Sequence, residues 1–250
     1  MSLVRIALRI CAVQALKGRT LVGENVLDSE IGALETTADG ALQTPKEKQF
    51  VSVYADDTEQ VSGLGIRSLI ANGKVDLVFE AGVASAHVTS DPVTDEQVLM
   101  AGLPATDANF EFYLDITLRQ IADAIADPEN EWAAILNSLI IRFEKCKRAR
   151  ISGDTNGIRL AAHQIKLTVE AVAEPVTGQP LKPGSPMETF FAKCESDLIA
   201  REPDMAGKIE VMLKQIAGNN EDLIAAMRRY GMVYTEADAM LLTPAEGIAP

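Results

Sequence analysis

Two histidines, His87 and His163, are the side chains of this chain best suited by type to general acid–base work near neutral pH. Neither is spaced with a serine, cysteine or aspartate in a way that signals a nucleophile and its base. Such arrangements are recognised by geometry and not by a lone imidazole. The acidic positions Asp56-Asp57 and Asp91 with Asp95-Glu96 have the oxygen ligands a hard cation takes, but no calcium-loop spacing, and read as solvated loop ends. Gly63-Leu64-Gly65-Ile66-Arg67-Ser68 resembles a fragment of a phosphate loop. It lacks the Lys-Ser/Thr of a P-loop and the third glycine of a dinucleotide fingerprint, so it reads as a turn. Cys11, Cys146 and Cys194 are odd in number and not spaced with either histidine for a metal; free, mostly buried thiols are expected. The reading is of no catalytic residue, no metal, no cofactor, and no enzyme.

The remaining chemistry is charge. Arg142, Lys145, Lys147, Arg148 and Arg150 crowd into nine residues of a chain whose net charge is −13. At the end of a helix they would complement its C-terminal dipole. Cations so close also repel, and a sharper reading is a basic patch that meets an acidic partner subunit or passing DNA. The overall negative charge argues against the whole surface gripping nucleic acid. Arg5, Arg9, Trp132, Arg142, Phe143, Lys147, Arg148 and Arg150 are the candidate interface residues.

The elements that would position these residues follow from period and punctuation. At 250 residues, 47% hydrophobic and 24% charged, the chain has the composition of a soluble globular protein. Arg5, Arg9 and Gln14 interrupt the apolar run 3–16, so neither a signal peptide nor a membrane span is expected, and synthesis is expected in the cytosol. Residues 2–17 read as a helix stopped by Gly18, apolar enough around its circumference to pack against a sheet or a second subunit. A short extended segment is expected over 25–31, a loop over 36–48, and strands over 49–55 (stopped by Asp56-Asp57) and 73–81. Asn72-Gly73 has hairpin-turn chemistry. A long connection spans 90–107, with a helical turn near 95–100.

The stretch from Asn109 to Lys147 has two periods. Phe110, Phe112, Leu114, Ile116 and Leu118 alternate as in a strand, while Phe110, Leu114, Leu118, Ile121 and Ile125 share a helix face; aromatic and β-branched content favours the strand. Asp127-Pro128-Glu129 then reads as the start of a helix carrying Trp132, Ile135, Leu136, Leu139, Ile140 and Phe143 to about Lys147. Ser152–Gly157 is a loop signal, 160–173 a closing strand, and 175–186, with its prolines and glycines, an internal boundary. Helices are expected over 187–200, 204–217 and 221–230, with a loose tail from 243. The fold class expected is α+β: an antiparallel sheet flanked by an N-terminal and a central amphipathic helix (1–174), with a C-terminal helical extension (175–250).

The order of these elements, rather than any single motif, resembles the tail terminator (tail completion) proteins of tailed bacteriophages. The resemblance rests on the helix at 8–20, Glu-Asn-Val-Leu-Asp-Ser at 24–29, the strand Phe-Val-Ser-Val-Tyr-Ala-Asp-Asp at 50–57, the helix at 129–147 and the strand at 160–173. It covers 3–173; the section after Pro175 and the insertion at 82–108 are not part of the family's small members. What it implies is a ring, commonly a homohexamer, that caps the finished tail tube and offers its other face to the neck of the filled head. The implied partners are further copies of the chain, a tail tube protein and a neck or head-completion protein, with genomic DNA passing through the ring unbound. The implied location is the virion tail. The competing readings are another neck, connector or baseplate structural protein, or a soluble α+β enzyme with a metal at the acidic loops. Trp132 and Phe143 are expected as core or interface anchors, so that Phe143→Asp abolishes folding or ring assembly whereas His163→Ala leaves function largely intact.

Overall fold

A computed structural model describes residues 2–29, 49–59, 72–83, 86–90, 97–101, 108–155 and 158–218. They divide into two units, Met1–Ala173 and Glu174–Pro250. The fold is mixed α+β in the first unit and helical in the described part of the second. The expected loop at 36–48, Gly63–Ser68, Asp91, Asp95-Glu96, the helix at 221–230 and the tail from 243 lie outside the described residues.

The sheet has five strands, β1 (Val26–Asp28), β2 (Gln49–Glu59), β3 (Lys74–Val83), β6 (Ile140–Thr155) and β7 (Ile158–Ala171), in the order β1-β2-β3-β7-β6. Three of its four pairings are antiparallel, as in the α+β fold expected; β1 runs parallel to β2. A separate hairpin, β4 (Ala86–Ser90) and β5 (Gln97–Ala101), stands where a helical turn was expected near 95–100. Nor do Asp56 and Asp57 stop β2. The register with β3 shifts between Ala55 and Thr58, so the two aspartates occupy a bulge and the strand continues to Glu59. Gly73, at φ +60°, leads into β3.

One sheet face carries Val51 and Val53, then Val75, Leu77, Phe79 and Ala81, then Ile165 and Val169, all paired in register and buried. On the other face the ring of Phe50 lies over Gly82, where an added Cβ would meet its Cζ at 2.6 Å. Only glycine leaves room for that ring.

Helix α1, Leu3–Leu16, starts at Ser2, whose hydroxyl accepts from the Arg5 amide at 3.0 Å. Ten of its residues are buried, because it touches β1, β2 and two further helices, α2 (Ala108–Ala126) and α3 (Glu131–Ser138), at once. Its broad apolar circumference is thus a consequence of being surrounded. Beyond its C-cap Lys17, Gly18 takes φ +69°, the left-handed position that ends many helices and suits glycine.

Residues 108–126, expected as a strand over much of their length, are helix α2. Leu114, Thr117, Leu118, Ile121, Ala124 and Ile125 bury at helical spacing, while Phe112 and Tyr113 are exposed. Leu114 and Leu118 satisfy both periods, so they decide nothing; the buried Thr117 hides the helical stripe because its side chain is polar. Its hydroxyl is accommodated by donating to the Tyr113 carbonyl at 2.8 Å, one turn back. Each fully buried Leu or Ile here is worth about 1.5–3 kcal/mol, which outweighs the small strand preference of the aromatic residues.

The helix expected over 129–147 is the second correction. Helix α3 ends at Ser138, burying Trp132, Ala133, Ile135 and Leu136. Its N-cap is Asn130 and not Asp127: the Asp127 carboxylate instead accepts from the Glu129 amide at 2.9 Å and from Arg19 at 2.6 Å. At the other end the Leu139 carbonyl accepts from the Val172 amide at 3.0 Å, and from Ile140 onward the chain is β6. Pairing with β7 captures a segment whose Ile140, Ile141 and Phe143 suit a strand as well as a helix. The loop signal at Ser152–Gly157 shrinks accordingly, since β6 runs to Thr155 and β7 resumes at Ile158.

In the second unit α4 (Pro186–Lys193), a π-helical segment (Cys194–Leu198) and α5 (Ile199–Arg201) run on from one another. Then comes α6 (Met205–Ala217), closed by Gly218 at φ +73°. Met187, Phe190, Phe191, Leu198, Ile209, Met212 and Ile216 are its buried residues of note, and Phe190 and Phe191 meet edge to face at 5.2 Å.

Asn130 joins the three helices of the first unit. Its side-chain oxygen accepts from Ala133 N, and its amide donates to the carbonyls of Ala15 at 2.9 Å and Ala124 at 3.0 Å, in the last turns of α1 and α2. Asn130→Ala leaves those groups unpaired and removes the cap. It is expected to cost about 2–4 kcal/mol of unfolding free energy, measured by urea denaturation, whereas an exposed control such as Asn137→Ala should cost under half of that.

Candidate assembly surface

The residues expected to act at an interface divide into two groups. Arg5 and Arg9, on α1, are spent within the unit: the Arg5 guanidinium donates to the carbonyls of Ala55 and Asp56, and Arg9 pairs with Asp28. Both tie α1 to the β1–β2 side of the sheet. Trp132 is buried in α3, as a core anchor should be. Phe143, expected to share its helical stripe, is instead 54% exposed on a strand, so it is no core anchor, and Phe143→Asp keeps only the assembly half of its expected effect.

The other group is together on β6. All ten residues from Ile141 to Arg150 are exposed, although the strand pairs with β7 on either side of two register shifts. As the last strand in the sheet order, β6 presents one row of backbone groups to no neighbouring strand among the described residues. Register assigns the side chains to two faces. Arg142, Lys145 and Lys147 stand opposite Glu170, Thr168 and Lys166; Phe143, Cys146, Arg148 and Arg150 stand opposite Val169, Leu167, Ile165 and His163. The five cations therefore do not sit at a helix C-terminus, and the dipole explanation for them falls. Cys146 is exposed, whereas Cys11 and Cys194 are buried. Burial pushes the Cys194 thiol up to about 12, helped by Glu195 and Asp197, so it is inert at neutral pH.

On the first of these faces the charges form a ladder across three strands. Arg142 reaches Glu144 and Glu170 at 2.7 Å each, and Lys74 reaches Glu144 at 3.3 Å. Asp76 receives the Lys166 ammonium at 2.6 Å and the Thr168 hydroxyl at 2.5 Å. Burial works to raise the Asp76 carboxyl, but the bonds from Lys166 and Thr168 and the charges of Lys166 and Lys145 outweigh it and hold its pKa below the ordinary value. Glu80, further along β3, is pushed up by burial and then by the charge of Asp56.

On the second face His163 is buried, held by Glu111 at 2.8 Å through Nε2 and by Asp115 at 3.2 Å through Nδ1. Glu111 also takes the Arg150 guanidinium at 2.6 Å. The cluster latches α2 onto β6 and β7. Both ring nitrogens face carboxylates, and no spacing in the sequence points to Glu111 or Asp115, because they lie in the stretch that alternates like a strand. His87 lies in β4, at the register position of Met100. No group of three or more His, Cys, Asp or Glu able to hold a metal ion occurs among the described residues, and none of their helices is long and apolar enough to cross a membrane. No protein-family model matches the chain, and no curated protein matches it.

The two carboxyls give opposite pH signs. A depressed native pKa supplies stability that is present above the ordinary carboxylate range and lost as pH falls through the native value. A raised one supplies stability below that range that is lost as pH rises. Asp76→Asn is therefore expected to lower the unfolding free energy at pH 7, with the gap to wild type closing as the acid range is entered. Glu80→Gln is expected to raise it at pH 7. Urea midpoints from pH 3 to 8 check both.

Proposed function

We propose that this protein is a structural virion component, a tail terminator whose copies form a ring on the end of a bacteriophage tail tube, stop its growth and join it to the neck. The observation that carries the reading is the long, charged edge of β6, exposed from Ile141 to Arg150 and paired with no further strand among the described residues. A subunit that must contact its own copies and two different partners needs surface of this kind, and sheet edges left open are ready sites for a second chain. The order of elements resembling that family adds to it. So does the engagement of His163, Glu111 and Arg150 with one another, which gives this imidazole–carboxylate cluster a fastening role. On this reading the chain is not an enzyme, and the negative charge away from β6 lets DNA pass without adhering.

The experiment is to add purified protein to growing tail tubes and follow tube length and end density by electron microscopy. Arrested tubes with a ring of density at one end are expected, and His163→Ala should cap as wild type does. Binding along the tube wall, or at a baseplate or neck position with tube growth unaffected, would place the protein elsewhere in the particle. A monomer that ignores tubes would remove the reading.

A further inference from the structure

The free edge of β6 has a sign, and so does another surface of the same unit. From Ile140 to Arg150 the strand carries five cations and one carboxylate, Glu144. Arg142 and Arg150 have ion-pair partners, while Lys145, Lys147 and Arg148 have none among the described residues. The helical segment from Ala108 to Ser138 carries six carboxylates and one cation, Arg119. Its Asp115 and Asp123 side chains are 72% and 58% exposed, and Glu129 and Glu131 are exposed as well. The contact of Arg150 with Glu111 at 2.6 Å shows these two surfaces already pairing within one chain.

We infer that β6 of one copy docks on the acidic α2–α3 surface of the next, a head-to-tail contact; this rests on the ring reading above and names its interface. A symmetric alternative, β6 against β6 across a two-fold axis, would set five cations against five on neighbouring strands, and like charges placed opposite one another destabilise a pair. The same charges that block that pairing match the acidic helices. Two different patches on each copy make a heterologous contact, which closes into a ring when its rotation closes and otherwise extends as a filament. The exposed Phe143 and Ile141 supply apolar area beside the charges, so that the contact is more than a screened ion pair.

The test compares oligomeric mass by size-exclusion chromatography with light scattering for the wild type, Lys147→Glu/Arg148→Glu, Asp123→Lys/Glu129→Lys, and an equimolar mixture of the two variants. All four substituted residues are exposed, so unchanged thermal unfolding is the folding control. The wild type is expected as an oligomer that dissociates as salt is raised. Each variant alone is expected at monomer mass, and the mixture is expected to regain the wild-type mass, since each variant then offers the complement of the other's altered face. Maleimide labelling of Cys146 should be slow in the oligomer and fast in both variants. A Lys147→Glu/Arg148→Glu protein that keeps the wild-type mass overturns this interface and leaves the ring reading standing. A wild type that is monomeric at all concentrations overturns both. A monomer that binds duplex DNA through Lys147 and Arg148 assigns the edge to phosphate, and overturns the contact between copies.

Discussion

The first unit depends on one buried amide. Asn130 stands where the last turns of α1 and α2 meet the first turn of α3, and all three leave backbone groups there without helical partners. A hydrophobic side chain would seal the space but leave two carbonyls and an amide unpaired in a low-dielectric interior, at about 1–3 kcal/mol each. Asparagine is one of the few side chains that accepts and donates at once, and it does both here. The consequence is directional. With α3 held at its start and only eight residues long, the chain is delivered at Leu139 to the end of β7, and β6 begins.

That delivery produces a sheet with one face under the helices and an edge that meets no further strand among the described residues. The helices bury the face of Phe79, Leu77 and Val53, whereas β6 extends beyond them with its residues from Ile141 to Arg150 in solvent. An edge of this length would template aggregation if it were apolar and flat. Five cations and two register shifts, between Ile140 and Arg142 and between Phe143 and Lys145, guard it against a second β6. They leave it open to acidic surfaces. The charge ladder through Asp76, Lys166, Arg142 and Glu170 stiffens the hairpin from the opposite face, and the His163 latch ties it to α2.

Much of this is legible in the chain. The N-terminal helix, β3, β7 and the described helices after Pro186 have a single period and clear punctuation, while β2 has the period but not the stop, since Asp56 and Asp57 fall in a bulge. The portion that misleads is Asn109–Lys147, for a definite physical reason. Residues four apart satisfy a period of two and a period of 3.6 together, so Leu114 and Leu118 support either element. The arbiter is Thr117, a polar residue whose burial depends on a hydrogen bond invisible to a pattern of hydrophobicity. In the same way Ile140 and Phe143 continue the helical stripe of Trp132 and Leu136, and only the distant β7 decides against it. The basic cluster stands out in the sequence at the right residues, but a helix end is the wrong setting for it, and that setting conceals an open sheet edge. Glu111 and Asp115 escape notice as partners of His163 because an alternating strand would aim them elsewhere.

The central claim is that the chain leaves α3 at Ser138 and becomes an edge strand, one side of which pairs with no strand among the described residues. Residue-resolved amide hydrogen exchange on the isolated subunit tests it most directly. The account predicts slow exchange through α3, then alternation along Ile140–Arg150. Amides bonded to β7 should be protected and those on the free edge should exchange at near-unprotected rates. Continuous protection from Glu131 to Lys147 in the isolated subunit would contradict it, because that is the signature of one uninterrupted helix.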